Sequence, residues 1–492
     1  MSAFAALVVA VALAGCGTTT YFAGRTLPPS GLTNRVLIAI QNPSSLSNGT
    51  LQFVDAFYDI RYRYNSTNVA PAFSISGYSG NLPITIQNMP EEQLGAVYGF
   101  GDGSFNIVSY SGEKNIGGTS GLNGHSSSIF TTRNQAYIFA ASQASHVLTI
   151  VDKSSINAGT YPLSLPGVYR VSVNPAGTAA LAFVQNSNYV YYPRKLTAAQ
   201  TAAYSGGPNT WPLGAVDCEP QNEPGWCLFQ ALDPGTGNPL SFNRPIKAVF
   251  SADGGTAYVL NCGPECGGTS TANPAATPLS NASVTLMPVA PLIFLIGQAS
   301  GTLPTQTALS ANCATAGSTG GCSIPIPGGA SNALVDSSTM YVVGQQMMTD
   351  GFWGGHLTVL NLSNNTASSP ISISDGEPGA VSRILLADDN TLWIAMVQCT
   401  NGERANNGQP DGCLTMVNTT NNTATLLPYI GDATGIAAVT GLHKVYTAEG
   451  GQVYIYSTVD GSSIDNQFVT VTGTAYDVAY MDATTDGNNT VY

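Results

Sequence analysis

From Gln135 to Asp152 the chain reads QAYIFAASQASHVLTIVD: an apolar run, a short polar turn, and a second apolar run that stops on an acid. Runs of this length around a tight connection predict two antiparallel strands. Degenerate copies of the second run recur, in the form x-apolar-x-apolar-apolar before a small or polar stop. They are TLQFVD from Thr50, SFNIVS from Ser104, NYVYYP from Asn188, SVTLMP from Ser283, HLTVLN from His356, CLTMVN from Cys413 and QVYIYS from Gln452. With VLTIVD from Val147 they make eight. A matching run precedes each: VLIAI from Val36, AVYGF from Ala96, AYIFA from Ala136, AALAF from Ala179, AYVL from Ala257, MYVVG from Met340, LWIAM from Leu392 and KVYTA from Lys444.

A further run with a turn signal stands ahead of most pairs, as in YRVSVNPAGTAA (169–180), IKAVFSADGGTAYV (246–259) and SRILLADDNTLWI (382–394). Pro-Ala-Gly and Asp-Gly supply the positive φ angles that tight hairpins need. An outer run follows, such as TYPLSLPG (160–167), TATLLPYI (423–430) or NQFVTVTG (466–473). Four strands per repeat of roughly 40–50 residues is the pattern of a β-propeller blade. The expected fold is all-β, a single propeller over 35–492 built of four-stranded antiparallel blades, with eight counted. The C-terminal AYDVAYMDA has inner-strand character, whereas the chain enters its first blade at a second strand, VLIAI. The C-terminal strand is therefore expected to complete the N-terminal blade and remove the free sheet edges. An insertion occupies about 194–245, and inside it Thr197-Ala-Ala-Gln200 fits a capping box, which predicts the one helix.

YIFAASQASHVLTIVD resembles the YVTN family of β-propeller repeats, whose units read like "YVaN…vsVID". The resemblance is best at 135–152 and extends from about Val36 onward. That family is usually seven-bladed, which sets seven as the alternative to eight. Its members are mostly envelope and surface proteins, so the resemblance implies a setting but no reaction.

Composition agrees with short strands. Only 9% of the 492 residues are charged, and 54 glycines and 29 prolines favour turns over helices. A net charge of −13 removes the clustered cations that phosphate backbones require, so nucleic acid is not an expected partner. Residues 1–15 read as a targeting signal. The apolar run 4–14 is too short to span a bilayer and ends Leu13-Ala14-Gly15-Cys16. LAGC resembles a bacterial lipobox, in which the signal is cut before Cys16 and that cysteine receives lipid; the positively charged start usual in such signals is missing. Residues 16–34 then form a lipidated tether, and the expected location is the bacterial envelope, outer membrane, on its periplasmic or surface side.

Setting Cys16 aside leaves eight cysteines: Cys218 with Cys227, Cys262 with Cys266, Cys313 with Cys322, and Cys399 with Cys413. Eight allow 105 pairings; nearest neighbours, each pair in a Gly/Pro/Asn-rich loop, are the simplest. The rival for CGPEC at 262–266 is zinc, which the absence of a nearby histidine disfavours. No metal and no cofactor is expected.

The loops joining second to third strands are short around Ala136 and Ala179 but long in three consecutive repeats, at 261–282, 345–355 and 398–412. Equivalent positions place all three on one face. Phe352 and Trp353 form an aromatic pair, and Glu265, Asp350 and Glu403 add acids, making these the candidate binding residues. The leading reading is a non-enzymatic binding or scaffold module for an envelope protein or glycan. The alternatives are a propeller enzyme, either a lactonase-like hydrolase or a quinone-dependent dehydrogenase, and a structural surface-layer component. A lactonase needs converging Arg, His and Glu; Arg383, Arg170 and Arg133 lie in or beside inner strands and are the candidates for the channel. The four histidines have no metal-pair spacing, no G-x-S-x-G elbow is present, and Asp388-Asp389-Asn390 and Asp482 with Asp486 lack calcium-loop spacing.

Overall fold

The runs around Tyr137 form the expected hairpin: Tyr137–Ser142 lies antiparallel to Val147–Asp152, with Tyr137 opposite Asp152. The structure, a computed structural model, describes residues 25–486 apart from 43–47, 62–63, 66–67, 70–72, 120–121, 123–124, 155–158, 221–223, 264–281, 296–301, 312–320, 348–352, 375–379, 400–412, 429 and 465–467. Eight such hairpins form the centres of eight antiparallel sheets, which are the blades of one propeller. The inner strands of blades 1 to 8 are Thr474–Tyr480, Pro83–Met89, Ser128–Thr131, Val168–Val173, Pro245–Phe250, Asn332–Asp336, Ala380–Ala387 and Ala433–Val439.

Each blade lies face to face with its neighbours, so its second strand is covered on both sides. All six residues of Tyr137–Ser142 are buried, and Thr391–Val397 is buried up to its last residue. This double burial is why the second strands read as unbroken apolar runs rather than with the period of two of a half-exposed sheet. The core is correspondingly divided into inter-blade layers. One packs Trp393, Ile394 and Met396 of blade 7 with Ile436 and Tyr456 of blade 8.

Ring closure is as expected. Thr474–Tyr480 pairs antiparallel with Arg35–Gln41, Val36 facing Tyr480, and this strand then continues the sheet into Thr50–Asp55. Arg35 locks the junction: Nε and Nη2 donate to Asp482 at 2.9 and 2.6 Å, and Nη1 donates to Glu113 of blade 2 at 2.7 Å. All three side chains are buried.

Four local expectations change. The insertion near 194–245, left without a fold by its sequence, is an extension of blade 4. Trp226–Gln230 pairs with the third strand Val190–Lys195, and Ala215–Glu219 adds a fifth strand beyond it. The capping box forms around Ala198–Tyr204, with both reciprocal hydrogen bonds, but a second short helix, Gln306–Ser310, is also present, capped by Thr305. The run 466–473 makes no outer strand among the described residues; only a bridge from Val453 to Val469 marks it. Finally, the long connection at 345–355 is largely ladder. Thr339–Met347 and Trp353–Asn361 pair to the level of Met347 opposite Trp353, so blade 6 projects a β-ribbon.

Candidate functional site

The site begins with a backbone irregularity. In six inner strands the pairing slips by one residue near the start, at Tyr476, Ile84, Tyr169, Ile246, Ser382 and Thr434. In the other two, the amides of Ser127 and Ser331 reach the residues that also face Ser128 and Asn332. Such a bulge re-aims the residue that follows it. Those followers, in blades 1 to 8, are Asp477, Thr85, Ser128, Arg170, Lys247, Asn332, Arg383 and Gly435. Three cations and one carboxylate thus occupy equivalent positions around the axis of a protein with only 15 lysines and arginines.

The side chains meet. Lys247 of blade 5 is 6% exposed, and its Nζ donates to Asn332 Oδ1 of blade 6 at 2.7 Å. Arg383 of blade 7 lies with Nε 3.7 Å from Asp477 Oδ1 of blade 1, and its Nη2 reaches the Ile84 carbonyl of blade 2 at 3.4 Å. Gly435 permits this approach, since a Cβ there would lie 2.6 Å from the Asp477 Cα. Asp477 Oδ2 also accepts from the Ile86 amide at 2.8 Å. Arg170 of blade 4 stacks on Tyr169, its Cζ 5.6 Å from the ring centre. Neither Arg170 nor Lys247 has a carboxylate within ion-pair distance among the described residues.

The electrostatics follow from this crowding. Burial pushes the Lys247 ammonium well below its ordinary range, and the charges of Arg170 and Arg383 push the same way. Burial raises the Asp477 carboxyl to about 6, against the opposing pull of Arg383 and of the Ile86 and Val478 amides.

The ring sits at a defined end. Each inner strand's start pairs with its second strand's finish, so the cations open on the face that carries the second-to-third connections. Here the long connections leave blades 5, 6 and 7, that of blade 6 as its β-ribbon. The Cys399–Cys413 disulfide, Cα atoms 5.5 Å apart, closes the root of the third, and the Gln398 amide donates to Asp432 of blade 8 at 2.8 Å.

Of the residues singled out from the sequence, the structure therefore unites Arg383 and Arg170. It separates Arg133, which follows the far end of its inner strand and pairs with Asp486 and Glu91 at the opposite rim. Glu265, Asp350, Phe352 and Glu403 lie outside the described residues, as do Cys16, Cys266 and Cys313. Trp353 is strand rather than loop. Cys218 and Cys227 face each other across the two outer strands of blade 4 and are bonded. Cys262 and Cys322 each belong to a further disulfide of their own, so Cys262 is no zinc thiolate. Asp482 and Asp486 pair with Arg35 and Arg133. His146 Nδ1 accepts from the Gly167 amide at 3.3 Å, and His443 pairs with Asp389 at 2.8 Å, which are hairpin contacts. Lys247, Asn332 and Asp477 were missed; a lysine inside the apolar run PIKAVF was the available signal, because lysine is rarely fully buried.

No known family model matches the chain, and no curated protein does. Solved structures do resemble it. The β-propeller domain of Cps50 (Swd1) from Myceliophteria thermophila is 10% identical, covers 77% of this chain and 98% of its own, and has a TM-score of 0.41. Dihydro-heme d1 dehydrogenase NirN is 10% identical over 93% of this chain and 79% of its own, TM-score 0.47. The periplasmic gluconolactonase PpgL of Pseudomonas aeruginosa is 14% identical over 91% and 98%, TM-score 0.39. These are similarities of chain path at low identity.

Proposed function

We propose that this chain is a non-enzymatic binding module, held at a bacterial envelope membrane by lipid on Cys16. Its working surface is the mouth of the ring on the loop-bearing face, and its partner is an envelope protein or glycan. The observation that carries this reading is the coincidence of two features at one end: the three cations around the axis, and the enlarged connections of blades 5, 6 and 7. A rigid ring supports such a site because varying its loops leaves the blades untouched. The Cys218–Cys227 and Cys399–Cys413 disulfides favour an oxidising compartment.

The enzyme reading is weaker. The described channel residues offer arginine and lysine but no accompanying histidine or glutamate, so the set expected of a lactonase is not assembled among them. The test is a pull-down with the full chain from envelope extract, beside a variant with Phe352 and Trp353 changed to alanine. A specific protein or polysaccharide retained by the parent and lost by the variant is expected. Equal retention by both would remove the loop-bearing face from consideration.

A further inference from the structure

The cations of the channel mouth face a chemical problem that the protein alone does not solve. Lys247 is withdrawn from water, yet its partner among the described residues is a neutral amide oxygen. An ammonium has three N–H donors, and Asn332 accepts one. The Arg170 guanidinium makes no hydrogen bond among the described residues and rests on the face of Tyr169. The one carboxylate of the ring, Asp477, lies beside Arg383 and accepts from two backbone amides, Ile86 and Val478. Positive charge therefore exceeds negative at the one place where a chain of net charge −13 would be expected to have none to spare.

We propose that the mouth of the channel is an oxyanion site, in which Arg170 and Lys247, backed by Arg383 held at Asp477, bind the carboxylate or phosphate group of a ligand. This deepens the reading of the loop-bearing mouth as the working face and rests on it for the route of entry. The division of labour follows from the geometry. Arg383 spans from blade 7 to the carbonyl of blade 2 and is fixed. Arg170 and Lys247 stand on adjacent blades with N–H groups to give. A guanidinium supplies paired donors that match a carboxylate or phosphate edge, and the ammonium supplies a point charge behind it. Asn332 orients the lysine without neutralising it, which leaves the attraction for the ligand.

The experiment is calorimetric titration of the full chain with inorganic phosphate, with glucuronate, and with glucose as the neutral counterpart of glucuronate. Binding of phosphate, glucuronate or both is expected, with none of glucose; which anion binds distinguishes a phosphorylated ligand from a carboxylate. Arg170→Gln is expected to weaken binding at least tenfold. Lys247→Met is expected to abolish it while raising the melting temperature of the unliganded chain, an outcome that a purely structural lysine would reverse. No binding of either anion by the parent, or parent-like affinity in Arg170→Gln, would overturn the proposal. Should Lys247→Met not fold, the half-buried Arg170 variant still decides. Oxyanion binding without any loop-dependent partner in the pull-down would sink the platform reading and leave this site standing; a loop-dependent partner with silent titrations would do the reverse.

Discussion

Glu449 illustrates how one buried group ties this fold to pH. It has no exposed surface, the Tyr456 hydroxyl donates to it at 3.0 Å, and burial raises its carboxyl to about 7 from an ordinary 4.5. Between these values the folded chain holds a proton that the unfolded chain has released. The contribution is therefore complete below about 4.5 and is lost as the pH rises through about 7. Glu449→Gln keeps the shape without the charge. It is expected to match the parent near pH 4 and to exceed it by up to roughly 3 kcal/mol near pH 8, as urea denaturation at the two pH values would read. Asp477 acts in the same range with a different readout. As the pH falls through about 6 it loses its charge, and Arg383 beside it is no longer compensated. Glucuronate, whose own charge is constant there, is expected to bind about tenfold more tightly near pH 5 than near pH 8.

At the scale of strands and loops, the sequence made the hairpins legible and the bulges illegible. AYIFAAS and VLTIVD announced themselves because burial on both faces removes polar residues from the second strand, and the third stops on an acid, Asp152. The bulge that sets Lys247, Arg383 and Asp477 around the axis leaves no such trace. Its first residue is Ser or Thr in blades 3, 6, 7 and 8, with hydroxyls bonded back to Ala141, Val343, Ala395 and Ala448, but it is Tyr or Ile in the others. Only alignment of the eight inner strands on that slip exposes the ring. The blade 6 ribbon was misread for a related reason: QQM and WGG lack β-branched residues, and cross-strand pairing rather than propensity extends the ladder. The disulfide at the root of the blade 7 loop was readable from spacing alone. Replacing Cys399 and Cys413 by serine frees a 14-residue separation and is expected to lower stability by roughly 2–3 kcal/mol, measurable by guanidinium denaturation.

Across the whole molecule, stability depends on one joint. Arg35 is 3% exposed and binds Asp482 and Glu113 together, so it ties both ends of the ring and the second blade. Arg35→Met leaves two buried acids without their cation and is expected to destabilise by about 3–5 kcal/mol, read as a lower denaturation midpoint. A chain ending before Thr474 would expose the edges of Arg35–Gln41 in blade 1 and lose the neighbours of blades 2 and 8. Aggregation in place of a cooperative unfolding transition is expected, and light scattering during refolding checks it. The joint also sets a clock. Arg35 and Asp482 are 447 positions apart, and a ribosome adding roughly 5–20 residues per second needs about 20–90 s to deliver the second after the first. Until then blade 1 has no inner strand, and the nascent polypeptide stays an open arc.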